Sequence, residues 1–408
     1  MARTLQFLAE NARWLGAGAL LMAMSSFGQT FFISIFAGQI QAKFDLSHGE
    51  WGSIYALGTT ASAIVMIWAG VLTDHYRART LGFICLFGLA ASCLFMAVNA
   101  WVALLPVVIF CLRLTGQGMS AHIAVVAMAR WFVATRGRAL ATASLGYSVS
   151  EMVMPFIFVF LMTLMDWHWL WVLAACISIL AAFALKGLLR QERVPGGVNA
   201  DNTATGMDGK HWTRVEAIRH PLFWFMVPAI LGLPAFGTAV LFHQVHYAAI
   251  KDVSHLTFVS LLPIYSAVVM VMMVISGIAL DRFGTVRLIP FFMLPVCVAF
   301  LLFSAAGTIW AMALAFVFFG MTNGAYSTLS NALWAEVYGT GHIGAIKSLT
   351  AAVMVLGSAL GPAVTGILID FGFELDRQYA FVAIYFLAAS LSIWLGVRHV
   401  RPSLSAAV

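Results

Sequence analysis

Apolar runs of about 20 residues, the length an α-helix needs to cross a bilayer, recur along the whole chain between short polar breaks. Their pattern predicts twelve spans. The first six run at roughly 14–38, 50–71, 80–99, 101–129, 139–163 and 168–189. The second six run at roughly 220–248, 256–280, 288–305, 308–334, 343–370 and 378–397. The alternating ~10-residue segments of a transmembrane barrel are absent. One stretch departs from the apolar pattern. Residues 190–219 (RQERVPGGVNADNTATGMDGKHWTRVEAIR) are polar and rich in Gly, Asn, Asp and Thr. They read as a linker between two six-helix halves, 1–189 and 220–408, with Arg214, Glu216 and Arg219 on a short surface helix leading into span seven. The expected fold class is therefore an all-α membrane protein with twelve transmembrane helices in two bundles.

Composition agrees with lipid as the solvent. The 408 residues are 62% hydrophobic and only 9% charged, too little polar surface for a soluble chain of this length. The net charge of +6 suggests nucleic acid until its distribution is considered. Of 22 lysines and arginines, three (Lys43, Lys251 and Arg377) fall in loops on one side, and Arg113 lies inside a span. All others lie at the opposite ends of the spans. By the positive-inside rule this predicts a multi-pass protein of the cell inner membrane with both termini cytoplasmic, and no nucleic-acid partner. The first apolar run is too long for a signal peptide and lacks an A-x-A site, so it reads as a retained helix. All five cysteines lie in apolar runs without metal-type spacing, which predicts small buried side chains and neither disulfide nor metal site.

The two halves repeat. GVLTDHYRART at 70–80 returns as GIALDRFGTVR at 277–287, with Gly70 and Asp74 mapping onto Gly277 and Asp281 at an offset of 207. Phe27-Gly28 in span one and Phe236-Gly237 in span seven are 209 apart. Spans five and eleven each carry a glycine and a later proline, Gly146 with Pro155 and Gly357 with Pro362. Together these predict a duplication, and hence pseudo-symmetric bundles.

On these residues the chain resembles the major facilitator superfamily over essentially its whole length. The signature loop after span two matches at Gly70, Asp74, Arg77 and Arg79, with His75 where the family usually has Arg. Its copy after span eight matches at Gly277, Asp281, Arg282, Gly284 and Arg287. Arg113-x-x-Gly116-x-Gly118 looks like the family's span-four motif, and Gly357-x-x-x-Gly361-Pro362 like its small-residue helix motif. The resemblance implies two bundles around a central cavity lined by spans one, four, seven and ten, and alternating access by rocking of the halves. It also implies a conformational latch at Gly70, Asp74, Arg77, Arg79, Gly277, Asp281 and Arg282. Simple retention of a basic loop on the inner face is the plainer alternative.

Polar residues within the apolar spans offer an independent guide. They gather as Ser25, Ser26, Gln29 and Thr30 in span one, and Arg113, Gln117 and Ser120 in span four. Span seven has Thr238, His243, Gln244 and His246; span ten has Asn323, Tyr326, Ser327, Ser330 and Asn331. Arg113, Gln29, Gln117, Asn323, Tyr326 and Ser327 are the expected substrate contacts. Arg113 is the basic residue deep in a span, and an unpartnered arginine there costs at least a few kcal/mol. Glu151 in span five is the acid at comparable depth. Two readings stay open: a substrate-binding Arg113 with a proton-carrying Glu151, or a structural ion pair between spans four and five. Ser150-Glu151 stands where span eleven has Gly361-Pro362, so the family's antiporter-type motif is not intact, which favours uptake or anion symport over drug/proton antiport.

Other features have plainer readings. His243 and His246 share a helical face and suit an interfacial cap, with pH sensing or metal binding as the sharper alternatives. His122 lies nearly opposite Arg113 around span four and reads as packing. Glu336 and His342 are expected to join neighbouring helix ends. Pro228 and Pro234 are expected to kink span seven. Met270, Met272 and Met273 read as core or lipid-facing mass. No phosphate loop, nucleophile triad or ATP-binding domain is present, so the reading is a non-enzyme without cofactor.

The expectation is a monomeric secondary active transporter, proton-coupled, moving a small organic solute such as a monocarboxylate-like anion by alternating access. Efflux of amphipathic compounds, or import of a vitamin or metal chelate, is the alternative. A non-transporting membrane sensor is a remote one, because the tails and the linker are short.

Overall fold

A computed structural model describes residues 2–132, 135–191 and 206–405, with the side chains at 2–5, 74, 136, 331 and 400–405 left out. The regular elements among the described residues are helical. Among the described residues, ten helices are long and apolar enough to cross a membrane, and the bent pair Ala12–Gly28 and Thr30–Phe44 forms a further, broken span. The shorter apolar helix Leu294–Ala305 stands in the place of span nine. Its first turn carries Pro295, and Pro290 lies in the non-helical stretch before it. Proline lacks the N–H an inner turn needs but suits the first one, so the helix starts there and not at 288. Span twelve instead outruns its prediction, with helix from Leu375 to Ser405.

The chain divides into two compact units. One comprises Met1–Val198 with Leu241–His246, the other Asn199–Val240 with Tyr247–Val408. In the first unit, span three (Ala78–Val98) packs along span six (Trp167–Leu188), span one along span five (Arg136–Met162), and span two (His48–Ala69) along the start of span four. In the second, span eight (Leu262–Phe283) packs along span ten (Ile309–Tyr338), and span nine along spans ten and twelve. In lipid no hydrophobic force separates helix from solvent, so tight packing of small residues matters more. Gly146 of span five lies on the carbonyl of Ala19 in span one, where a Cβ would overlap it. Gly357 and Gly361 of span eleven lie the same way on the carbonyls of Leu231 and Ala235 in span seven.

Caps begin several helices. Ser47 and Glu50 form a reciprocal capping box at span two, with Glu50 N donating to Ser47 Oγ at 3.1 Å and Ser47 N to Glu50 Oε2 at 2.9 Å. Thr213 and Glu216 do the same for the surface helix Arg214–Arg219. Span seven (Pro221–Phe242) stays helical through Pro228 and Pro234, and the interruption comes later, at His243. Near Pro228, Tyr385 and Ser392 of span twelve donate to the carbonyls of Pro228 and Phe225 at 2.7 and 2.9 Å.

Part of the polar segment after 190 is built into the second unit. Trp212 N donates to Tyr338 O at 3.0 Å and Trp212 Nε1 to Met207 O at 3.1 Å. Gly206 meets the backbone of Val337–Gly339 so closely that no Cβ would fit. Gly341 N donates to His211 Nδ1 at 3.3 Å. The joint at the end of span ten is therefore made by this returning segment. Glu336 and His342, the candidates for it by sequence, are both exposed.

Candidate functional site

Span one breaks at its middle. Helix Ala12–Ser25 tightens to a 3₁₀ turn at Ser26–Gly28, Gln29 is extended (φ −85°, ψ 154°), and helix resumes at Thr30 with a 48° bend. No proline lies at this point. Phe27, Phe32 and Phe36 hold the broken segment in place, packed edge-on among themselves and against Phe158 and Trp171, with ring centroids 4.8–6.1 Å apart in the edge-on pairs. The break removes Gly28 O from the intrahelical ladder, and inside a membrane such a carbonyl needs another donor.

Arg113 supplies it. Its Nη1 donates to Gly28 O at 3.2 Å and to Thr30 Oγ1 at 3.4 Å. Thr30 Oγ1 hydrogen-bonds the hydroxyl of Tyr55 in span two, and the guanidinium lies 5.4 Å from the Tyr55 ring centroid. A positive group beside the C-terminal end of a helix also meets the negative end of its dipole. The side chain is 2% exposed. Its Nε is buried without a hydrogen-bond partner.

Span four is irregular at the matching level. It runs as α-helix over Leu105–Leu112, as a π-helical turn over Arg113–Ser120, and as α-helix again over Ala121–Trp131. Side chains absorb the displaced carbonyls: Ser120 Oγ donates to Thr115 O at 2.7 Å, Cys85 Sγ to the same oxygen at 3.1 Å, and Thr115 Oγ1 to Cys111 O at 2.7 Å. Gly28 and Gly116 touch backbone to backbone, and a Cβ on Gly116 would meet Gly28 Cα at 2.6 Å. The glycines of Arg113-x-x-Gly116 thus let span four approach the break closely enough for the arginine to reach it.

Gln29 and Gln117 are half-buried beside this junction, Gln29 at the break and Gln117 with its backbone N 2.8 Å from where a Gly28 Cβ would lie. Glu151, also half-buried, accepts from Tyr147 one turn earlier on span five, Oη to Oε1 at 3.0 Å. The Tyr147 ring packs edge-on against Phe31, next to Thr30. Arg113 therefore binds span one, whereas Glu151 binds Tyr147, whose ring packs on Phe31 of span one.

In the second unit, Asn323 Nδ2 donates to Phe319 O at 3.0 Å and Ser327 Oγ to Gly324 O at 2.8 Å, each within its own helix. Tyr326 stacks on Phe292 of the stretch before span nine, centroids 6.0 Å apart. Asn331 lies outside the described side chains. The two signature loops differ. In the first, Arg130 of span four donates to Thr73 O at 2.6 Å, and Thr73 Oγ1 to Gly70 O at 2.8 Å. A cavity of about 170 Å³ opens there between Tyr76, Arg77, Arg130 and Trp131. His122 reaches this loop beneath Gly70. The Asp74 carboxylate lies outside the described residues, and Arg79 is half-buried. In the second loop Gly277 has open space around it, Asp281 is exposed, and Arg282 lies over the ring of its neighbour Phe283 at 5.3 Å.

His243 and His246 are joined by a third imidazole. The His48 ring is 4.3 Å from that of His246 and 6.1 Å from that of His243, with Gln41 Nε2 3.1 Å from His48 Nδ1. Gln244 between them donates to Ser34 Oγ at 2.7 Å. Sequence reasoning missed Thr30 as a ligand of Arg113, and Tyr55, His48 and Arg130 as contacts. They come from segments far apart in the chain, and of the four only Thr30 stands out as polar within an apolar span.

A broken first span, a π-turn in the fourth carrying a buried arginine, and repeated glycine-on-carbonyl packing define a duplicated polytopic membrane protein. Sequence comparison agrees. The chain belongs to the Major Facilitator Superfamily, whose family model matches residues 18–362 and 252–407. Solved structures of transporters share the fold. A bacterial homologue of the human lysosomal transporter Spinster, inward-facing and unoccupied, is 18% identical with a TM-score of 0.71 over 96% of this chain and 98% of that one. A point mutant of the nucleoside transporter NupG is 13% identical with a TM-score of 0.70, covering 95% and 99%. No curated protein matches the chain by sequence at the level searched. The chain is a multi-pass membrane transporter of this superfamily.

Proposed function

We propose that the protein imports a small organic anion, a monocarboxylate-like solute, together with protons, and that Arg113 binds the solute while Glu151 carries the proton. The observation that carries this reading is the Arg113 guanidinium. One end is committed to Gly28 O and Thr30, whereas Nε is buried without a partner. Buried donors left unsatisfied are rare and call for a reason, and a carboxylate is the acceptor that a guanidinium edge matches best. Gln29 and Gln117 flank the same junction as neutral donors. Asn323, Tyr326 and Ser327 are proposed as the contacts from the second unit.

Glu151 supports coupling by its chemistry. Its carboxylate accepts from Tyr147, and protonation would rearrange that bond beside Phe31 at the break. In the proposed setting the protein is a functional monomer of the inner membrane with cytoplasmic termini. The loops at Gly70, Asp74, Arg77 and Arg79 and at Gly277, Asp281 and Arg282 would then act as conformational latches on the cytoplasmic side.

The test is a thermal-shift screen of purified protein against organic acids, vitamins, nucleosides and amphipathic drugs. A carboxylate that stabilises wild type but not Arg113→Lys supports the reading. Stabilisation by neutral or cationic amphiphiles, unchanged in Arg113→Lys, would replace it with efflux.

A further inference from the structure

Each half carries one lysine near the end of its first span, and the two make the same three-way contact. In the first unit, Lys43 Nζ donates to Asn99 O at 2.7 Å, at the end of span three, and to His168 Nε2 at 2.8 Å, at the start of span six. In the second, Lys251 Nζ donates to Ser304 O at 3.0 Å, at the end of span nine, and lies 2.7 Å from Asp376 Oδ1, at the start of span twelve. That last contact is an ion pair by distance, without hydrogen-bond alignment at Oδ1. Both ammonium groups lie over an aromatic face, Trp167 at 5.4 Å and Tyr247 at 5.7 Å. The offsets are 208 for Lys43 and Lys251, 205 for Asn99 and Ser304, and 208 for His168 and Asp376. They bracket the 207 of the signature loop, so the contact was duplicated with the fold.

The copies differ in one respect. The second lysine meets a carboxylate directly, whereas in the first an imidazole is interposed. His168 Nδ1 contacts Asp166 Oδ1, and Asp166 also accepts from His168 N at 2.9 Å as the cap of span six. An ammonium can only donate, so His168 Nε2 must accept from Lys43, which leaves the proton on Nδ1, pointing at Asp166. This arrangement requires a neutral ring. A second proton would go on Nε2 and set two cationic donors against each other 2.8 Å apart.

We propose that the two lysines form a duplicated clasp fastening the ends of the first, third and sixth spans of each half, and that only the first clasp opens with acid, through His168. The groups facing the His168 ring are Lys43 from span one and Asp166 from its own cap, with the Trp167 ring tilted against it, centroids 4.0 Å apart. The His168 side chain is 32% exposed, so bulk protons reach it. On protonation Lys43 keeps only Asn99 O and the aromatic faces, and the far end of span one comes loose from span six. The second clasp has a carboxylate where the first has the imidazole, and it stays closed. The proposal is independent of which solute is carried.

The experiment is a double-mutant cycle of Lys43→Met and His168→Gln in the full-length purified protein. Melting temperature is read at about pH 8 and about pH 5.5, on either side of the usual imidazole range. At the higher pH, Lys43→Met is expected to lower Tm by about 2–4 °C. At the lower pH that loss should vanish or change sign, whereas in a His168→Gln background it should not depend on pH. Lys251→Met should cost the same at both. An equal Lys43→Met loss at both pH values in wild type, or no loss at either, overturns the proposal. If Lys43→Met does not fold, the ¹⁵N spectrum of histidine-labelled wild type against His168→Gln decides. A neutral ring protonated at Nδ1 supports the clasp, and one protonated at Nε2 overturns it.

Discussion

At the scale of single residues, Arg113 ties the broken first span to the fourth. It was legible in the sequence because it interrupts an apolar run, but its partner was not. Glu151 was the natural candidate by charge and depth, yet the oxygen that Arg113 holds is a backbone carbonyl, Gly28 O, which the sequence does not mark. Removing the donor while keeping bulk, as in Arg113→Met, leaves that carbonyl unsatisfied and should cost about 1–3 kcal/mol. Tyr55→Phe loses only the hydroxyl contact to Thr30 and should cost less, about 0.5–1.5 kcal/mol. Thermal or denaturant unfolding of the purified variants measures both. His220 allows a second test at this scale. Its imidazole packs against Trp212 and Tyr338, and burial holds its pKa below the usual histidine value, more than Asp208 raises it. The folded protein then binds fewer protons there than the unfolded chain. The resulting stability is present above about pH 6.5 and lost as pH falls through the lower folded pKa. His220→Gln should flatten that part of the pH–stability curve, and an unchanged slope would argue against the burial effect.

At the scale of elements, length and hydrophobicity placed the spans, whereas their irregularities needed coordinates. Span one breaks at SerPheGlyGln with no proline to announce it, while span seven carries two prolines and stays helical through both. The difference lies in tertiary partners. Span one is held bent by its phenylalanine cluster and by Arg113, whereas carbonyls of span seven near Pro228 are met by Tyr385 and Ser392. The Gly-x-x-x-Gly motif of span eleven was legible, and its physical content is contact with the carbonyls of Leu231 and Ala235. Gly361→Leu should therefore force span eleven off span seven and destabilise the protein by about 1–3 kcal/mol. The same change at Gly344, where nothing lies within 4 Å of a Cβ, should be nearly neutral. Comparative melting of the two variants tests this, and equal losses would contradict the packing argument.

For the whole molecule, the repeat was the strongest signal in the sequence, and the structure shows where the copies diverge. The first signature loop is tied down by Arg130 on Thr73 O, while the second has open space at Gly277 and an arginine turned onto its own neighbour. The buried arginine and Glu151 both belong to the first unit, where the broken span one meets the π-turn of span four. Duplication was legible because it preserves spacing. Divergence was not, because it acts through contacts between spans rather than along them. What we propose for the whole molecule is proton coupling by Glu151, with Arg113 holding the solute. It is tested most directly by transport in proteoliposomes, with the carboxylate found in the binding screen as the labelled solute. Glu151→Gln should retain solute exchange at equal concentrations and lose accumulation driven by an imposed pH gradient, whereas wild type does both. Full gradient-driven accumulation by Glu151→Gln would contradict the claim.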